Sequence, residues 1–421
     1  MATAAVPAPA DETSAAVGRF IVGAAEPVLA EDGEGLFALR AGCYALEERD
    51  GFLILQAWDE KRTFARRVIG VESQSRGKMI LHVERFGRHR GRVALVDAAA
   101  PSAARVHRRA ARLQLRENLH RFLRRNYASL RVIELTSEAV LSASLSPNFP
   151  RAFLRSGTEG WAAIAAPDDP LVADEVLSFG LIWLDYLRRR ERQCAVRGLI
   201  LYLPVGQERT TCLRLRHLSP RAAEYSVWAC AKDGPEFRLD PADWGNLDTK
   251  VEPCRGTAAP SRDVRGRAAP ELRLEAQVRA GLRRLDPELL IEPVYTQVPA
   301  FAATSHGLMD LLAADVNGRL AVIELKASED IHLPLQALDY WMRVGWHVER
   351  GDFSSAGYFP GLRLRNEPPR LLLVAPALMF HSTNETVLRY FSSEVPVERI
   401  GTGIEWQKGL EVFFRAHSPC R

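Results

Sequence analysis

Long hydrophobic runs are missing from this chain of 421 residues. No stretch approaches the roughly 18 consecutive apolar residues that cross a bilayer, so no membrane-spanning helix and no membrane association are expected. Cysteine is scarce, with 6 residues at positions 43, 194, 212, 230, 254 and 420 and no Cys-x-x-Cys pair. That spacing excludes the usual structural zinc knuckle and points to buried thiols in a reducing, cytoplasmic compartment. Charge of one sign is missing too, since 56 Lys and Arg stand against 52 Asp and Glu, leaving +4. Three catalytic signatures are absent: the Gly-x-x-x-x-Gly-Lys-Ser/Thr phosphate loop, Gly-x-Ser-x-Gly and His-Glu-x-x-His. A fused nucleotide-driven motor, a nucleophile-elbow serine hydrolase and a zinc protease of that type are thereby set aside. The start, Met1 to Ala16, is rich in Ala and Pro and has neither the basic segment nor the apolar core of a signal peptide; residues 1–30 read as a disordered tail.

What is present suggests two or three domains of mixed α/β class. Residues 31–100 form a β-rich unit, with apolar runs at Phe52 to Leu55, Val68 to Val71, Met79 to Val83 and Val93 to Val96 broken by Gly and charged turns. A second α/β region covers 101–250. It opens on Arg105 to Tyr127, a helix whose apolar stripe is Leu115, Leu119, Phe122 and Leu123. Arg108, Arg109, Arg112 and Arg116 flank that stripe, either as a solvated face or as a surface that tracks nucleic-acid phosphates. Residues 251–269, with Gly256, Pro260 and Gly266 among Ala, Ser and Arg, read as a linker to a C-terminal α/β domain at 270–421.

The sharpest signal lies in that last domain. Leu308 to Ala314 and Leu320 to Ala327 are apolar, β-rich runs interrupted by Asp310, Glu324 and Lys326, and Asp315-Val316-Asn317-Gly318 between them is hairpin-turn chemistry. Unpaired buried charges cost several kcal/mol, so three of them in core strands call for a ligand. Side chains alternate along a strand, which puts Glu324 and Lys326 on one face. A two-residue turn sets Asp310 opposite Leu325, whereas a three-residue loop, Val316 to Gly318, sets it opposite Glu324. The three-residue loop is expected, with Gly318 left-handed. Two converging carboxylates and the Leu325 carbonyl suit Mg²⁺ or Mn²⁺, and Lys326 suits orientation of an attacking water.

Asp310 followed by Glu324-Leu325-Lys326 resembles the PD-(D/E)XK superfamily of metal-dependent nucleases, the restriction-endonuclease-like fold. The resemblance covers about residues 270 to 380 and has Met309 where the family name has Pro. It implies a mixed sheet flanked by helices and hydrolysis of DNA phosphodiester bonds. Asp310 and Glu324 correspond to the metal ligands and Lys326 to the catalytic cation. It also implies an acid on the preceding helix, for which Glu275 is favoured over Glu271. Gln336 and Tyr340, four apart on a helix, resemble the QxxxY element of RecB-like members. Single-site members often pair, so a homodimer is an open expectation. Only Cys420 follows the core, so the iron–sulfur cluster of some relatives is not expected. The region 101–250 carries an echo: Arg131 to Glu138 reads like Ala321 to Glu329, with Thr136 in place of Lys326. Ile182 to Tyr186 followed by Leu199 to Pro204 likewise reads like Ala337 to Trp341 followed by Leu371 to Pro376. Either the region is a degenerate nuclease-like repeat or the similarity is coincidence between apolar strands. The competing reading of the whole chain is a catalytically silent nucleic-acid-binding scaffold, and an RNA nuclease shares the chemistry.

Overall fold

The computed structural model describes residues 10–31, 35–49, 52–58, 63–75, 77–84, 90–99, 103–231, 234–247, 251, 253–254, 269–301 and 306–418. The expected linker therefore lies almost entirely outside the described residues. Contacts divide the chain into two units, 1–128 and 129–421. The Arg-dense helix belongs with the β-rich unit, not with the α/β region that follows it.

The first unit contains α1 (Ala10–Gly23), β1 (Pro27–Glu31), β2 (Gly35–Ala38), β3 (Tyr44–Arg49), β4 (Phe52–Trp58), β5 (Thr63–Ser75), β6 (Lys78–Glu84), β7 (Arg90–Asp97) and α2 (Ala103–Asn126). Its strands form one antiparallel 7-stranded sheet in the order β2-β1-β7-β6-β5-β4-β3. Strict alternation builds it: Leu53, Leu55 and Ala57 of β4 and Met79, Leu81 and Val83 of β6 all point into one core. Residues 10–23 correct the expectation of a disordered tail. Val17, Phe20 and Ile21 recur at helical spacing and are buried in that same core.

The second unit holds two sheets. The first takes β8 (Arg131–Thr136), β9 (Arg151–Ser156), β10 (Glu159–Ala165), α3 (Pro170–Ala173), α4 (Val176–Arg190), β11 (Ala195–Pro204), α5 (Arg209–Leu215), β12 (Glu224–Cys230) and β13 (Glu236–Leu239). The second is preceded by α6 (Ala269–Ala280) and α7 (Leu282–Leu285). It then takes β14 (Tyr295–Phe301), β15 (His306–Ala314), β16 (Leu320–Leu325), α8 (Leu333–Arg350), α9 (Asp352–Ser355), β17 (Arg370–Pro376), α10 (Ser382–Leu388), β18 (Val397–Thr402) and β19 (Val412–Ser418). Both are 6-stranded, ordered β13-β12-β11-β10-β9-β8 and β14-β15-β16-β17-β18-β19. In the second, β14, β15 and β16 are antiparallel neighbours, β16, β17 and β18 run parallel, and β19 closes antiparallel. Pro299 sits on β14, an edge strand, the place in a sheet where proline is tolerated. The parallel strands are buried on both faces: Leu371 and Leu373 pack with α8, while Leu372 and Val374 pack with α6 and α7. Among the described residues no helix is long and apolar enough to cross a membrane.

Candidate active site

The hairpin between β15 and β16 decides the geometry. Leu311 pairs with Ile323, and the register runs down to Ala314 with Leu320. Asp315 N donates to Arg319 O at 2.9 Å and Gly318 N to Asp315 O at 3.0 Å, so the loop is Val316-Asn317-Gly318. Gly318 takes φ +83° as expected; a Cβ there would lie 2.2 Å from the Arg363 carbonyl oxygen. Asp315 Oδ1 accepts from Asn317 N at 2.8 Å and Arg319 N at 2.9 Å, an Asx-type brace for the loop. The ladder ends at Leu311 with Ile323; continued one step, this register sets Asp310 opposite Glu324.

Alternation then aims both carboxylates. Leu312, Ala314, Leu320 and Val322 belong to the core shared with α8, whereas Leu311, Ala313, Ala321 and Ile323 belong to the core beneath α6 and α7. Asp310 and Glu324 therefore take the α8 side, and they are 5% and 1% exposed. Asp310 Oδ2 accepts the Leu325 N–H at 2.7 Å, a charge-assisted bond inside the sheet.

Lys326 leaves the strand with its own N–H donating to Val374 O at 3.0 Å. Its Nζ lies 3.3 Å from Asp330 Oδ2. Burial works against the ammonium, but Glu324, then Asp330, Glu271 and Asp310, outweigh it and hold its pKa above the ordinary lysine value. Tyr340, on α8, shares a hydrogen bond with Gln336 Nε2 at 3.2 Å, so the expected pair does meet. Burial first, and the fields of Glu324, Asp310 and Asp339 behind it, push the phenol well above its usual range, while the Gln336 bond works the other way. Asp310, Glu324, Lys326, Gln336 and Tyr340 are thus brought to one place, with two protonated donors facing two acids.

The preceding helix is divided. Glu275 is buried on α6 beside Leu274 and one turn from Val278, and Glu271, at the start of the helix, is among the acids whose charge acts on Lys326. Asp330 was not foreseen; its signal is position i+4 from Lys326, just past the strand end. Nor was Arg214 of α5, whose Nε and Nη2 donate to Asp339 Oδ1 and Oδ2 at 2.9 and 2.8 Å. That bidentate pair fixes α8 one residue away from Tyr340. His332 sits at the start of α8 with Nδ1 3.1 Å from Ser178 Oγ, a structural contact. On α2, Arg109 is exposed and Arg112 and Arg116 are half-buried; the Arg108 side chain lies outside the described residues.

The donor set bears on a cation. Among the described residues no three or more His, Cys, Asp or Glu side chains are grouped so as to hold a metal ion. A cation at this place would have Asp310 and Glu324 as its side-chain ligands, with backbone and water oxygens completing the shell. Such an all-oxygen, water-rich set fits Mg²⁺ or Mn²⁺ and is a poor fit to zinc. It would also offset two buried negative charges on neighbouring strands. No protein-family model, no curated protein and no solved structure matches the chain.

Proposed function

We propose that residues 269–418 form a PD-(D/E)XK, restriction-endonuclease-like core that hydrolyses DNA phosphodiester bonds with Mg²⁺ or Mn²⁺. The observation that carries this reading is the hairpin register, which, continued one step past Leu311 and Ile323, sets Asp310 against Glu324 on the α8 side, with the Lys326 charge close enough to feel both acids. The order helix, three antiparallel strands, helix, parallel strand, from α6 to β17, supports it.

Asp310, Glu324 and the Leu325 carbonyl would hold the metal, which supplies Lewis acidity toward a phosphoryl oxygen and lowers the pKa of a bound water. Lys326 does the chain's own chemistry. Held protonated by its four acidic neighbours, it donates hydrogen bonds to the attacking water and to the oxygen that gains charge in the transition state. Tyr340 stays a neutral donor at any physiological pH and steers a second phosphate oxygen, with Gln336 fixing its hydroxyl. Asp330 positions Lys326, and Glu271 adds to the field that keeps it charged. The face of α2 carrying Arg108, Arg109, Arg112 and Arg116 is proposed to bind the nucleic-acid backbone, giving salt-dependent affinity.

The test is incubation of plasmid, linear duplex and single-stranded DNA with purified protein in Mg²⁺, Mn²⁺ or EDTA. An RNA of equal length serves as competitor. Products in Mg²⁺ that vanish in EDTA support the reading, and preferential cleavage of the RNA redirects it to ribonuclease. Salt-dependent binding with no product in any metal makes the protein a silent scaffold.

A further inference from the structure

The two sheets of residues 129–421 are the same construction used twice. In each, three antiparallel strands are followed by a helix crossing to a parallel strand, a shorter helix crossing to another parallel strand, and an antiparallel closing strand. Strands β8 to β13 answer β14 to β19 one for one, α4 answers α8, and α5 answers α10. The sequences run in step on the matching elements. Leu-Asp-Tyr occupies 184–186 on α4 and 338–340 on α8, Pro204 and Pro376 end β11 and β17, and Leu-Arg-His-Leu-Ser at 215–219 answers Leu-Arg-Tyr-Phe-Ser at 388–392.

Those last two segments meet each other. Leu218 and Phe391 form an isolated antiparallel bridge, in which Ser219 N donates to Tyr390 O at 2.7 Å and Ser392 N donates to His217 O at 2.8 Å. Matching residues that exchange matching bonds are the mark of an isologous contact, as at the axis of a two-fold dimer. The flanks agree: α4 packs on α10 and α5 on α8, and one apolar core runs through both sheets.

We propose that residues 131–239 are a catalytically blank copy of the 295–418 domain, fused to it as a built-in dimer partner, so that the chain is a one-site nuclease acting as a monomer and cutting one strand per binding event. This rests on the nuclease reading above. The blank positions follow from register. Glu324 lies beside Leu373 on β17, whose counterpart, three residues before the matching proline, is Leu201; on β10 the residue beside Leu201 is Ile164. Ile164 thus stands where Glu324 does and Ala166 where Lys326 does. The residue opposite Ile164 is Arg151, so arginine stands where Asp310 does. Arg151 is 1% exposed, with Nη1 donating to Ser146 O, Nη2 to Glu138 O, and its guanidinium 5.3 Å from the Trp183 ring centroid. A fixed cation with no carboxylate opposite it leaves no place for a metal. Glu134, which resembled Glu324 in sequence, is on β8, the counterpart of β14, and pairs with Arg190 at 2.6 Å.

The full-length protein is tested by light scattering for mass, by Mn²⁺ titration for stoichiometry, and on supercoiled plasmid in Mg²⁺. The expected results are a monomer, one Mn²⁺ per chain that is lost in Asp310→Asn but kept in Arg151→Lys and Ala166→Ser, and nicked circle that accumulates before any linear form at a rate first order in protein. A dimer, two Mn²⁺ per chain, or linear product without a nicked intermediate overturns the proposal while leaving the nuclease reading standing. A plasmid left intact in every metal overturns the nuclease reading, and the one-strand cut with it.

Discussion

Replacing Arg214 asks whether the first half of this unit holds the site of the second. The guanidinium reaches from α5 to the Asp339 carboxylate on α8 through two bonds of 2.9 and 2.8 Å, and the two side chains are 8% and 15% exposed. The Asp174 carbonyl takes a third donor. Arg214→Met leaves the carboxylate buried, and breaking such a pair costs about 3–5 kcal/mol. The lower end applies, because Asp339 still interacts with Arg343. Asp339→Leu strands the guanidinium in the same way. The double variant removes both charges and puts apolar side chains in their place, so it costs far less than the sum, with a coupling of about 3 kcal/mol. Urea denaturation of the four proteins, followed by tryptophan fluorescence, measures that coupling. A coupling below about 0.5 kcal/mol, the noise of additive sites, refutes the claim that the two halves are locked at this pair.

Burial, helped by Arg216, pulls His217 from 6.5 down to about 4 at the bridge between the halves. The unfolded chain therefore takes up the proton first, and stability falls as pH drops from about 6.5 to about 4, by roughly 3 kcal/mol, levelling off below. His217→Phe should flatten that slope in pH-resolved melts, and an unchanged slope contradicts the assignment. Gly318→Ala places a methyl group against the Arg363 carbonyl at a left-handed residue. It should lower stability by more than the roughly 1–2 kcal/mol of left-handed strain alone, as read by denaturant midpoint. Glu271→Gln should move the alkaline limit of cleavage to lower pH, because Lys326 loses one of the acids that hold its pKa up, and a pH–rate profile with an unmoved alkaline limb contradicts this.

The hairpin was legible because its chemistry is local. Asp315 braces two amides and Gly318 supplies the positive φ, so loop length, register and the meeting of Asp310 with Glu324 all follow from a few adjacent residues. Gln336 and Tyr340 were legible for the same reason, four apart on one helix. Long-range partners were not. Arg214 and Asp339 are 125 residues apart, and nothing in either segment names the other. The echo at Glu134 lies on β8, at the sheet position of β14 and not of β16, because apolar strands share letters whereas a strand's place is set by its neighbours in the sheet; only pairing puts Ile164 at the position that Glu324 takes in the other sheet. The helix at Ala10–Gly23 was hidden by its Ala-rich surroundings, although Val17, Phe20 and Ile21 carried the period.

Asp310→Asn gives the most direct measurement of the central claim. An amide oxygen can still accept the Leu325 N–H, so the sheet keeps its bond while the site loses the charge that a metal needs. The expected result is unchanged stability and single-turnover plasmid cleavage slower by at least about 10²–10³-fold in Mg²⁺, the scale on which one electrostatic group in an active site acts. Cleavage at the wild-type rate by this variant contradicts it.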